Sequence, residues 1–166
     1  MYFDELNVGI EYDEEGVQHM IMNGMDVTGE IRTQDIAQKA SLVSAHGIVR
    51  EMLLDMQRDV AKNYNVIMDG RDIGTVVLPK ATVKIFLTAS AEVRAKRRTE
   101  ELQAKGQKAD YNKVLKEIQQ RDYQDTHREV APLKMSRDSI KLDTSDLDID
   151  GVIAAMKEII TKKVGA

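Results

Sequence analysis

The run Val66-Ile67-Met68, bounded by Asn65 and by Asp69-Gly70, limits the fold more than any other segment. Apolar side chains in succession, with no polar alternation, read as a parallel strand buried on both faces. Residues 83–87, introduced by Pro79, make a second such run, and residues 140–142 a third. Helical segments lie between and after them, at about 91–103, 110–128 and 149–163, with Gly106 and Gln107-Lys108 parting the first two. From residue 65 onward the order is alternating β and α, which predicts a parallel α/β sheet.

The chain opens differently. Residues 7–13 and 18–22 alternate apolar and polar, Glu14-Glu15-Gly16 reads as a turn, and Asn23-Gly24 is a hairpin signal before a short strand at 25–27. This predicts a small antiparallel sheet. Thr33 then caps a helix with Asp35 in its first turn and Ile36, Ala40 and Val43 on one side. Gly47 is expected to break it. A second helix follows, with Val49, Leu53, Met56 and Val60 at spacings of four, three and four. The expected organisation is residues 1–46 as one region and 47–166 as a core, with a lid at about 97–112.

Composition removes several functions. A net charge of −4 argues against a protein that coats nucleic acid. No apolar stretch approaches the roughly 20 residues of a membrane helix. There are no cysteines, which excludes disulfides and thiolate metal sites and suits a reducing cytoplasm. Met1–Glu5 lacks the basic and apolar pattern of a signal peptide, so a cytoplasmic location is expected. His19, His46 and His127 have no metal-ligand spacing.

In an open α/β sheet, ligands bind at the carboxyl ends of strands. The first buried run ends in Asp69-Gly70-Arg71-Asp72-Ile73-Gly74-Thr75. A carboxylate there suits Mg²⁺-linked phosphoryl chemistry, Arg71 offers a planar fork for phosphate, and Asp72 can accept from an amino group. An ordinary strand-to-loop turn with one ion pair would read the same way. Arg121, Asp125 and Arg128 lie on one helical face and could hold a phosphate and a ribose, or form an exposed ion-pair ladder of little energy. Arg94, Lys96, Arg97 and Arg98 concentrate positive charge at the end of another helix, either complementing its dipole or forming a basic lid over a polyphosphate. Ser41 and Arg50 sit on the two helices after the small sheet.

Together these segments resemble the bacterial cytidylate kinases. The resemblance rests on Gly29-Glu30-Ile31-Arg32-Thr33 before the Ser41 helix, on residues 69–79 and 83–87, and on Val130-Ala131-Pro132-Leu133 after the Arg121 helix, in that order. It runs from about residue 7 to the C-terminus. It implies a phosphate-loop (P-loop) nucleoside monophosphate kinase-like fold, with the small antiparallel sheet in the region that binds the monophosphate. It also implies transfer of the γ-phosphoryl of ATP, with Mg²⁺, to CMP or dCMP by a monomeric enzyme. Carried over by position, Ser41, Arg50 and Asp72 would read the cytosine. Arg71 and Arg128 would hold the acceptor phosphate, Arg121 and Asp125 would engage sugar and phosphate, and Arg97 or Arg98 would reach the transferring phosphates from the lid. Asp69 would serve the metal-bound triphosphate, and no residue is expected to ligate a resident metal.

One departure is large. No Gly-x-x-x-x-Gly-Lys-Ser/Thr occurs in the 166 residues, and the family carries that loop on its first strand. The resemblance therefore implies a sheet lacking its first, central strand, in a fragment or incomplete gene product. Two inner edges would be exposed, and the chain alone is expected to fold poorly or aggregate. Two other readings compete. One is a non-catalytic module that binds a nucleotide at the acceptor site. The other is a kinase of the same fold acting on uridylate or a sugar acid.

Overall fold

The structure, a computed structural model, describes residues 6–44 and 46–165, and for Gln34, Gln38 and Ser41 the backbone alone. The chain divides into two compact units, Met1–Leu53 and Leu54–Ala166.

In the first unit, β1 (Val8–Tyr12) pairs antiparallel with β2 (Gln18–Met22), placing Glu11 opposite His19, and β2 pairs with β3 (Met25–Asp26). The turns follow from their residues. Asp13 Oδ1 accepts from the amides of Glu15 and Val17 at 2.9 and 2.8 Å. Asn23 and Gly24 both take positive φ, +51° and +79°, the backbone of a tight hairpin turn that these residue types adopt at least cost. A single 3₁₀ turn (Glu30–Arg32) leads into α1 (Gln34–Val43), where the Thr33 hydroxyl accepts from the Ile36 amide at 3.4 Å. The helix break falls before Gly47, which opens α2 (Gly47–Asn63) rather than closing α1.

In the second unit, β4 (Ile85–Thr88) and β5 (Ile140–Asp143) pair in parallel, Ile85 beside Ile140 and Thr88 beside Asp143. The connection between them carries α3 (Ala91–Ala104) and α4 (Tyr111–His127), and α5 (Ile149–Val164) follows β5. The side chains of Ser90, Asp110 and Asp148 cap these three helices by accepting from Val93, Lys113 and Gly151. Ala95 on α3 and Val114 on α4 are buried. Arg94 joins the two helices, its fork donating to both carboxylate oxygens of Asp122 at 2.9 and 2.6 Å while Nε donates to the Ala89 carbonyl. Among the described residues, no helix is long and apolar enough to cross a membrane.

Two expectations are corrected. Residues 65–69 form no ladder with any described strand, and Ile67 is 96% exposed. A continuous apolar run signals a demand for burial, but a strand exists only by pairing, and no described strand lies against this one. The faces of the parallel pair are correspondingly open, with Leu87 53% exposed. Second, Arg94, Lys96, Arg97 and Arg98 run from the first turn to the middle of α3 and none lies in its last turn, so they do not complement its C-terminal dipole.

Candidate functional site

The Asp69–Asp72 segment leads into a turn of unusual geometry, Ile73–Val77, in which the Leu78 amide reaches back five residues to the Ile73 carbonyl at 2.7 Å. Such π-type turns are rare, and they occur frequently at functional sites. The Asp72 carbonyl accepts from the amides of Val76 and Val77 at 2.8 and 3.3 Å. Gly70 is favoured by space: a Cβ there would lie 2.8 Å from Ile73 Cγ1. Val77, 3% exposed, anchors the far end.

The structure brings Arg71 and Asp125 together. Arg71 Nε donates to Asp125 Oδ2 at 2.6 Å, and Arg121 Nε lies 3.9 Å from the same oxygen. The Asp125 side chain is 12% exposed, whereas Arg71 and Arg121 are 43% and 58% exposed. One shielded carboxylate thus orients two guanidiniums whose outer faces meet solvent. Two cations against one anion leave a net positive charge, and the planar forks suit a phosphate.

The turn after α4 wraps this cluster from below. The Leu133 amide donates to the Asp125 carbonyl at 2.8 Å, and Arg128 Nε donates to the Ala131 carbonyl at 2.7 Å. Ala131 takes φ +48° directly before Pro132, a strained choice for a residue with a Cβ. Arg128 therefore lies at the end of α4 beside the cluster and helps to hold the turn.

The remaining candidates sit elsewhere. Asp69 is exposed at the end of the unpaired segment. Arg97 is held by backbone, donating to the carbonyls of Thr144 and Leu147 at 2.5 and 2.8 Å and closing the carboxyl end of β5. Arg98 makes a surface pair with Glu101 at 2.7 Å. Lys105 and then Arg98 lower the Glu101 carboxyl to about 2. Arg50, in the first unit, donates to the Ser44 carbonyl at 3.2 Å. Ser41 belongs to α1, but its side chain lies outside the described residues. Among the described residues, no group of three or more His, Asp or Glu side chains is arranged to hold a metal ion.

Sequence reasoning passed over two cations that shape this region. Arg58 on α2 donates to the carbonyls of Val77 and Val76 at 3.1 and 2.9 Å. Lys84, buried at the start of β4, reaches the Pro79 carbonyl and both oxygens of Asp138. Its hydrogen bond pulls the Asp138 carboxyl below its ordinary range, with Ser136 adding to the effect. A charge inside the apolar run at 83–87 was a visible signal for Lys84. Arg58 had none, because its partners are carbonyls.

The family model for cytidylate kinase matches residues 4–162. A cytidylate kinase from Lactobacillus johnsonii is 51% identical over 150 residues, covering 90% of this chain and 65% of that protein. One from Geobacillus sp. is 48% identical over 158 residues, covering 95% of this chain and 70% of that protein. One from Clostridium botulinum is 51% identical over 144 residues, covering 87% and 66%. The chain thus spans about two thirds of the length of the curated relatives that it matches. With the family model matching nearly its whole length, and with Asp69–Asp72 and the Arg121–Arg128 helix brought together in one unit, the chain belongs to the cytidylate kinase family.

Proposed function

We propose that this chain carries the acceptor half of a transferase that moves the γ-phosphoryl of Mg²⁺-bound ATP to CMP or dCMP. The observation that carries the reading is the cluster in which Asp125 orients Arg71 and Arg121. Arg71 and Arg128 hold the acceptor phosphate, and Arg121 and Asp125 engage phosphate and sugar. Asp72 accepts from the exocyclic amine of cytosine. For Ser41 and Arg50 the family resemblance implies a role in reading cytosine.

In the transfer, an oxygen of the acceptor phosphate forms a bond to the γ-phosphorus of ATP. The bond from that phosphorus to the bridging oxygen breaks, and ADP leaves with the electron pair. Little covalent work falls to the protein, so positioning and charge neutralisation dominate. Mg²⁺ would come with ATP and neutralise phosphate charge, and Asp69 would be the carboxylate that serves it. Of the two lid arginines, Arg98 is the better placed to reach the phosphates: it has only a surface ion pair to release, whereas Arg97 would have to abandon backbone carbonyls. The absence of cysteine fits work in a reducing cytoplasm, and the family resemblance implies a monomer.

Isothermal titration with CMP, dCMP, UMP, AMP and ATP tests the reading. Binding of CMP or dCMP ahead of UMP and AMP is expected. No measurable affinity for either cytidine nucleotide overturns it. Binding of CMP with no binding of ATP selects instead a nucleotide-binding module without transfer.

A further inference from the structure

We infer that Arg58 is a positioning residue for acceptor recognition, setting the Asp72 end of the Ile73–Val77 turn from the opposite side. The inference rests on the acceptor-site reading above. Its basis is a closed relay of hydrogen bonds. The amides of Val76 and Val77 donate to the Asp72 carbonyl, and the carbonyls of those same two residues accept from Arg58 Nη2 and Nε, at 2.9 and 3.1 Å. Peptide units at 76 and 77 are thus held at both poles.

The turn needs such a clamp. A reach of five residues has poorer hydrogen-bond geometry than an α-turn, and an isolated turn gains little from propagation. It competes with four-residue closure, already half present in the Val76-to-Asp72 bond. Arg58 favours the wider form because its planar fork spans two successive carbonyls that an α-helical continuation would have used further along. A shift of one residue in this turn rotates the peptide at Asp72 and moves both Asp72 and the adjoining Arg71. Arg58 reaches the turn from α2, and the partners of its fork are the two backbone carbonyls.

The measurement is the ratio of CMP to UMP affinity in the full chain, read by isothermal titration for wild type, Arg58→Gln and Arg58→Lys. Destabilisation alone would weaken both ligands together and leave the ratio unchanged. Loss of the clamp displaces the group that accepts from the cytosine amine, so the ratio should fall on the order of tenfold in Arg58→Gln. Lysine keeps the charge and most of the stem but cannot span two carbonyls as a fork, so Arg58→Lys should fold and still lose most of the discrimination. Amide hydrogen exchange should quicken at Val76, Val77 and Leu78 while α4 is unchanged. A wild type that prefers CMP, with both variants keeping the same ratio, overturns the inference alone. A wild type with no CMP affinity overturns the acceptor reading and the inference with it.

Discussion

Arg71 Nε and Asp125 Oδ2 meet at 2.6 Å across 54 positions of sequence. The contact ties the loop after the unpaired apolar segment to the last turn of α4. Asp125 is the shielded partner and Arg71 the exposed one. Removing the guanidinium therefore costs more than the lost bond, because it leaves a shielded carboxylate whose other cation, Arg121, lies 3.9 Å away.

Arg71→Ala should lower the stability of the second unit by about 1–3 kcal/mol, the range for a buried charged group left without its hydrogen-bond partner. It should also weaken CMP binding at least tenfold, since the fork proposed to hold the acceptor phosphate is gone. Asp125→Ala should weaken binding too, since neither Arg71 nor Arg121 is then oriented, but with a smaller stability loss, because the exposed guanidiniums are left to solvent. Urea unfolding and titration calorimetry measure the two effects. Equal stability losses in the two variants would contradict the asymmetry of burial.

The Arg94–Asp122 pair has ideal bidentate geometry, and Asp122 holds the guanidinium further above its ordinary value. Its worth is nevertheless limited, because the two side chains are 37% and 41% exposed. A double-mutant cycle with Arg94→Ala and Asp122→Ala should return a coupling of about 0.5–1 kcal/mol, reduced in 1 M salt. Arg94→Ala alone should cost more than the coupling, because Nε also holds the Ala89 carbonyl at the helix start.

What the sequence disclosed follows from where the information sits. Caps and turns are local, so Thr33, Asn23-Gly24 and the bounds of α3, α4 and α5 were readable from neighbours alone. The face shared by Arg121, Asp125 and Arg128 was readable from helical period. The run at 66–68 was misjudged because hydrophobicity reports a need for cover and says nothing about which strand supplies the ladder. The Arg97 bonds and the Arg58 clamp were invisible for another reason: both end on backbone carbonyls, which every residue possesses. In a basic cluster, sequence can count charges but cannot say which one the backbone has already taken.

A histidine without a predicted role gives the first unit a pH dependence. His19 on β2 lies between Asp26 on β3, at 2.7 Å, and Asp13 beyond β1, at 3.2 Å, with Glu11 opposite on β1. Asp26 and then Asp13 raise the His19 pKa above 6.5. The Thr28 side chain and amide, followed by His19, lower Asp26 from 3.8 to about 2. The Val17 amide and then His19 hold Asp13 below its usual value. The raised imidazole contributes stability that is complete below 6.5 and lost as pH rises through its folded value. The lowered carboxylates contribute stability that is complete above 3.8 and lost as pH falls through their folded values. The small sheet should therefore be most protected between about pH 4 and 6.5. Amide exchange at Met20 and Ile21, corrected for intrinsic rates, should show both arms. His19→Gln should remove the alkaline arm and leave most of the acid one. An alkaline arm persisting in that variant would assign it to another group.

Gly70 offers the sharpest test of the loop. A Cβ there would lie 2.8 Å from Ile73 Cγ1 and would sit 3.1 Å from Cδ1. Backbone conformation does not demand glycine, because φ at this position lies outside the left-handed region. The requirement is steric, so it should be relieved by shortening the partner. Gly70→Ala should cost about 1–3 kcal/mol through overpacking and should weaken CMP binding by displacing Arg71 and Asp72. Gly70→Ala with Ile73→Ala should recover a substantial part of the binding, because the colliding atoms are gone. Thermal unfolding gives the first effect and calorimetry the second. A double variant no better than Gly70→Ala at binding CMP would mean that glycine serves this loop through flexibility, and that the contact with Ile73 does not set the position of the two site residues.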